Sequence, residues 1–198
     1  VYDYFMNVAS SSVDFTVTAR SATASVLVNG TPVTQGVPFT VSGLTNGATN
    51  TIPVRVISTD GTVTNDTLVK IVYLDVITIA QARADGLGTY PTPKYIEGIV
   101  VKSGGSSLNA YIQEVGVNSG ITLRSLGGSF LFVTGDHVRV KFTTRADYNG
   151  LMQISVANPA DVTILASGRA DDLAYDTVTA TPALADEGKY VRVLNYTF

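Results

Sequence analysis

Cysteine and tryptophan are missing from this chain, and histidine occurs once, at His137. Without cysteine there are no disulfides and no thiolate metal sites. A single histidine makes a histidine metal cluster or a His–His proton relay impossible. The lack of tryptophan removes the strongest aromatic signal for sugar stacking, although ten tyrosines remain. Charge is scarce as well. Asp, Glu, Lys and Arg make up 15% of 198 residues, and the net charge is −3 with a pI of about 5.0. No global attraction to a phosphate backbone follows from that balance. No apolar run approaches the roughly 20 residues that a membrane-spanning helix needs. No Gly-x-Ser-x-Gly elbow occurs. The Ser103-Gly104-Gly105-Ser106-Ser107 stretch lacks the Lys and the helix of a phosphate-cradling loop, so it reads as a strand connection.

What is abundant points to strands. Val and Thr fit pleated, half-buried surfaces, while Gly and Asn supply turns. A mean hydropathy of +0.24 places the chain among folded proteins, with room for one large domain or two small ones. In the first segment, Val13, Phe15 and Val17 alternate with polar residues, as do Val26 and Val28, Phe39 and Val41, and Ile52, Val54 and Val56. Asn29-Gly30, Asn46-Gly47 and Asp60-Gly61 separate these runs at β-sandwich spacing. The second segment opens with one helical stretch, capped by Thr78 and ended by Gly86 and Gly88. Pro91 and Pro93 then force an extended entry to a strand at Tyr95–Lys102. Strands follow at Leu108–Glu114, Gly120–Ser125, His137–Thr144, Leu151–Val156 and Val162–Ala166. Five or six short strands after a helix predict a Greek-key barrel.

One phrase occurs twice. Tyr95-Ile96-Glu97-Gly98-Ile99-Val100-Val101 returns as Glu187-Gly188-Lys189-Tyr190-Val191-Arg192-Val193. Residues 186–198 therefore read as the first strand of a further unit, with a closing strand of the same domain as the rival reading. The expected domains are 1–74 and 75–198. A start at Val1 without Met is what a processed or excised fragment would show.

The order Val28-Asn29-Gly30, Asn50-Thr51-Ile52-Pro53-Val54, Asp60-Gly61-Thr62 and Leu68-Val69-Lys70-Ile71 resembles the bacterial cadherin-like β-sandwich over residues 1–74. Residues 78–166 resemble the OB-fold domain of exported bacterial nucleases and surface proteins. The matching phrases are Glu97-Gly98-Ile99-Val100, Tyr111-Ile112-Gln113-Glu114, Gly120-Ile121-Thr122-Leu123, Gly135-Asp136-His137-Val138-Arg139-Val140 and Tyr148-Asn149-Gly150-Leu151-Met152-Gln153-Ile154. Glu114 stands where that family usually has Asp. These resemblances imply an all-β chain, with an Ig-like sandwich followed by an OB-like barrel, exported to the cell surface or beyond.

No catalytic constellation emerges, and no cofactor is expected. His137 begins a strand, where a structural role is the simplest reading. OB folds hold single strands by stacking bases on aromatics and tracking phosphates with cations, chiefly on the second and third strands. Here that face offers Tyr111, Gln113 and Arg124, with Lys141, Arg145 and Tyr148 on the following hairpin. Tyr111 and Gln113 share one side of their strand; the plainer alternative makes Tyr111 a core or rim residue. Residues 76–198 hold ten Lys/Arg against eleven Asp/Glu, and residues 1–75 hold three against five. Neither half has a nucleic-acid binder's basic balance. Asp171, Asp172 and Asp176 form the densest carboxylate group and a calcium candidate. The leading expectation is a non-catalytic module pair acting in adhesion, ligand presentation or spacing, with a glycan, a single-stranded nucleic acid or another surface protein as partner. The alternative is an accessory region of an extracellular nuclease or phosphoesterase whose catalytic domain lies elsewhere.

Overall fold

The computed structural model describes residues 3–103, 108–178, 186 and 188–194. Strands dominate, and the chain divides into two compact units, Val1–Asp75 and Val76–Phe198. The first unit contains β1 (Asp3–Val8), β2 (Ser12–Phe15), β3 (Ser25–Val28), β4 (Thr31–Val33), β5 (Phe39–Ser42), β6 (Thr49–Ile57) and β7 (Thr64–Tyr73). One sheet runs β1-β7-β6-β3-β4, and β2 pairs with β5 in a second.

Period-two alternation decides what each strand buries. In β6, Ile52 and Val54 are buried while Thr51, Pro53 and Arg55 are exposed. Val26, Val28, Ile52, Val54 and Ile71 from the first sheet share a core with Val41 from the second, and Val13, Phe15 and Phe39 pack against it. Two sheets facing across one apolar layer make this unit a β-sandwich. Pro53 cannot donate to a ladder; it sits one residue past the last β3 partner, Val54, where its carbonyl accepts from Asn29 N in the hairpin turn. Two strands lie outside the alternation read from the sequence. One is the short β4, and the other is β1, which runs parallel to β7 from Asp3↔Leu68 to Val8↔Tyr73.

The second unit contains α1 (Ile79–Ala84), β8 (Gly88–Lys102), β9 (Asn109–Gln113), β10 (Gly120–Ser125), β11 (His137–Tyr148), β12 (Leu151–Val156), β13 (Val162–Ala166), β14 (Asp176–Val178) and β15 (Val191–Val193). Strands β8, β9, β10, β12 and β11 pair in that order, and β11 pairs back to β8. Five strands thus close a barrel. Only the β10–β12 pairing in the ring is parallel. This Greek-key ring is compatible with an OB-like barrel. Its interior holds Ile96, Val100, Ala110, Ile112, Ile121, Leu123, Val138, Val140, Ile154 and Val156.

Helix α1 adds Ile79 and Ala82 to that core. Thr78 caps it through a reciprocal bond with Gln81, and Glu114 Oε2 accepts from Ile79 N at 3.1 Å. The acidic residue after β9 thus satisfies an otherwise orphaned helix N–H. Strand β8 starts seven residues before the expected Tyr95. Pro91 and Pro93 lie inside it, where its register with β11 shifts between Lys94 and Thr89, so the irregular ladder tolerates two residues without N–H groups. The two-residue turn between β11 and β12 places Asn149 and Gly150 at φ +54° and +88°, as a type I′ hairpin demands.

Strand β13 extends the sheet beyond β11. Strand β15, from the second Glu-Gly phrase, stays outside the ring and pairs in parallel with β14. Glu187 and the Gly104–Ser107 part of the glycine-serine connection lie outside the described residues.

In the β6–β7 turn, Asp60 Oδ1 accepts from Ser58 Oγ, Thr62 N and Thr62 Oγ1 at 2.6, 3.0 and 2.8 Å. These bonds, the one from Ser58 foremost, hold the Asp60 pKa at about 2 against an ordinary 3.8. Because the folded value is depressed, this stabilisation is complete above pH 3.8 and is lost as pH falls toward 2. Following the Asp60 carboxyl carbon by NMR during acid titration should give a midpoint near 2. A midpoint close to 4 would show that the turn does not hold the carboxylate this way.

Candidate ligand-binding face of the barrel

Because Ala110, Ile112, Ile121, Leu123 and Ile154 point into the barrel, alternation sends their neighbours outward. Asn109, Tyr111 and Gln113 leave β9 on the outer side, with Gly120, Thr122 and Arg124 on β10, and Gln153 and Ser155 on β12. Register aligns them in rows. Tyr111, Thr122 and Gln153 form one row, and Asn109, Arg124 and Ser155 the next.

At one end of this face lies a shallow cavity of about 210 Å³ lined by Asn109, Arg124, Tyr148 and Gln153. Tyr148 reaches it from the end of β11, just before the Asn149-Gly150 turn, and is 62% exposed. Arg124 Nη1 donates to Asn109 Oδ1 at 3.3 Å. Arg124 forms no ion pair among the described residues, unlike Arg139, whose Nη2 lies 2.7 Å from Glu97 Oε1. The cavity therefore combines a guanidinium free of carboxylates, two amides able to donate and accept, and a largely exposed phenol ring. Such a set can bind a polar or anionic group and stack one ring.

The other end of the face is covered by the C-terminal segment around β14 and β15. Gln113 is fully buried. Its Nε2 donates to Ala174 O at 2.5 Å, and its Oε1 accepts from Tyr190 N at 2.5 Å. Gly116 N also donates to Asp172 O at 3.2 Å. Gly120 and Gly188 meet backbone to backbone, so a methyl group at Gly120 would fall on the Gly188 carbonyl.

Of the six candidate residues, Arg124 and Tyr148 share the cavity, and Tyr111 is half-buried beside it. The other three lie apart from it. The amide of Gln113 is committed to the C-terminal strap and faces no solvent. Arg145 is buried; it donates from Nε to the Gly86 carbonyl and lies over the Tyr90 ring, 3.7 Å from Cζ to the centroid. Lys141 sits across the barrel beside Asp161, 3.5 Å away. Two of the three aspartates of the calcium candidate are engaged separately. Asp172 pairs with Arg169, Asp176 belongs to β14, and no group of three or more acidic or His residues among those described is placed to hold a metal ion. His137 Nε2 lies 3.6 Å from Glu97 Oε2 at the start of β11.

Sequence reasoning missed Asn109 and Gln153. Counting in twos from Tyr111 gives Asn109, and from Leu151 gives Gln153. That both face the same cavity depends on the β10–β12 pairing, which no local pattern announces. Comparison of the chain with known protein families, curated proteins and solved structures finds no match.

Gly120→Ala should destabilise the protein by about 1–3 kcal/mol, the usual range for overpacking. It should also speed hydrogen exchange at the Tyr190 amide, which Gln113 holds. Urea unfolding and amide exchange measure the two effects, and unchanged exchange at Tyr190 would contradict the backbone contact.

Proposed function

We propose that this chain is a non-catalytic pair of β modules from an exported or cell-surface protein, serving adhesion, ligand presentation or spacing. The barrel carries the ligand, and the sandwich spaces it. The observation behind this reading is the polar cavity of Asn109, Arg124, Tyr148 and Gln153. It lies on the second and third strands of the barrel beside the turn between the fourth and fifth, the region that OB-like barrels use for oligonucleotides and oligosaccharides. The turn chemistry of the first unit supports reading it as a cadherin-like spacer. Its Asp60 turn is hydrogen-bonded to Ser58 and Thr62, its Asn29-Gly30 hairpin adopts positive φ, and Arg55 and Asp66 form a 2.7 Å pair across β6 and β7 that raises the arginine pKa and lowers that of the aspartate.

A second reading has one observation in its favour. An exposed tyrosine beside an arginine without a carboxylate partner suits a stacked base and its phosphate. On that reading the chain is an accessory, strand-binding region of an extracellular nuclease or phosphoesterase whose chemistry lies elsewhere.

Titrating the protein with neutral oligosaccharides, acidic oligosaccharides and oligo-dT should reveal a ligand whose affinity falls about tenfold in Arg124→Ala or Tyr148→Ala. Melting temperatures should stay unchanged, because both side chains lie outside the core. A salt-dependent response confined to oligo-dT selects the accessory reading. Binding indifferent to both substitutions would sink the cavity as the ligand site.

A further inference from the structure

The C-terminal strap that covers the Gln113 end of the barrel face carries a cavity of its own, of about 460 Å³, lined by Tyr175, Tyr190, Val191 and Arg192. That volume falls in the roughly 300–1,000 Å³ range of small-molecule sites. The two tyrosines are 52% and 50% exposed and meet edge to face, with centroids 6.3 Å apart and planes at 86°. Large aromatics normally bury such area, so two half-bare rings side by side are a surface feature to explain.

The parallel register of β14 and β15 accounts for the grouping. Asp176 pairs with Val191 and Thr177 with Arg192, which brings Tyr175 level with Tyr190. Alternation puts Tyr190 and Arg192 on one side of the ribbon, with Tyr175 and Thr177 beside them, and turns Asp176 to the other side. Arg192 thus has a neutral neighbour in register and forms no ion pair among the described residues. The ribbon is anchored through Tyr190 N on Gln113 and through Gly188 on Gly120, so the site rests on a fixed base.

We propose that Tyr175, Tyr190 and Arg192 form a second binding site, separate from the barrel cavity, for an acidic sugar residue of a uronate-containing glycan. An edge-to-face pair makes a corner. One ring offers its face to the C–H side of a pyranose, and the other turns its edge and phenol toward the sugar hydroxyls. The Arg192 guanidinium closes the corner with a fork that fits a carboxylate in bidentate fashion. A nucleic acid is the poorer fit. Stacked bases need ring faces laid along a basic track, whereas these rings are perpendicular and the unit carries more acids than bases.

The test titrates the full chain with tri-galacturonate while NMR follows the Arg192 and Arg124 Nε signals and the tyrosine rings. Saturable shifts should centre on Arg192, Tyr175 and Tyr190. Affinity should fall about tenfold in Arg192→Gln and in Tyr190→Ala, and by a similar factor for the fully methyl-esterified trimer. Arg20→Gln, a surface cation in the first unit, serves as the charge control and should bind normally. Arg192 is exposed, so its substitution leaves folding intact and keeps the test decisive if Tyr190→Ala perturbs the strap. No saturable shift at Arg192 overturns the site. Shifts confined to Arg124 also overturn it while leaving the barrel cavity standing, and tighter binding of oligo-dT at Arg192 replaces the sugar with a nucleic acid.

Discussion

The second unit depends on one non-local pairing, that of β10 with β12. These strands run in the same direction and are separated in sequence by all of β11, so no hairpin can join them. Loop closure must precede any gain from their contacts. Once β11 folds back on both β8 and β12, the pairing closes the ring and leaves no free edge between its five strands. It also sets Thr122 opposite Gln153 and Arg124 opposite Ser155, so the same seam that completes the core draws the polar face together. Ile121, Leu123, Ile154 and Val156 on the inner side of the seam are fully buried, and removing the bulk of any one would cost about 2–5 kcal/mol.

That dependence explains what the chain discloses before it folds. Strands Gly120–Ser125, Leu151–Val156 and Val162–Ala166 were legible to the residue, because alternation and Asn-Gly turns are local signals. The helix was legible through Thr78. Strand β1 was not, since it lies far in sequence from its partner β7. The opening of β8 was hidden by two prolines, which normally argue against a strand and here fall in a register shift. Among site residues, Arg124 and Tyr148 were readable as a cation and an aromatic on the outer face. That Gln113 and Arg145 are covered was not legible, because alternation tells which side of a strand a residue takes, not whether another segment covers that side. In both cases the cover is distant, either the strap at Ala174 and Tyr190 or the Gly86 carbonyl and the Tyr90 ring.

Several of the cations pair with carboxylates. Arg55, Arg139, Lys141, Arg169 and Lys189 each lie beside a carboxylate, on faces where such pairs contribute little to stability. Among the described residues Arg124 and Arg192 do not, and each lines a cavity with an exposed tyrosine. A cation left without its usual partner is free to engage an outside anion. An exposed ring and a guanidinium with no carboxylate partner among the described residues thus coincide twice in the second unit.

The parallel pairing of β1 and β7 has a mechanical consequence. These are the outermost strands of the first unit along the chain, and they lie side by side over six residues in the same direction. Tension pulling the two ends of that unit apart would draw β1 backward and β7 forward along their shared axis. The hydrogen bonds between them would be loaded together in shear, instead of opening one by one as in a peeled hairpin. The sandwich is built so that stretching meets its resistance at the first rung and the last at the same moment.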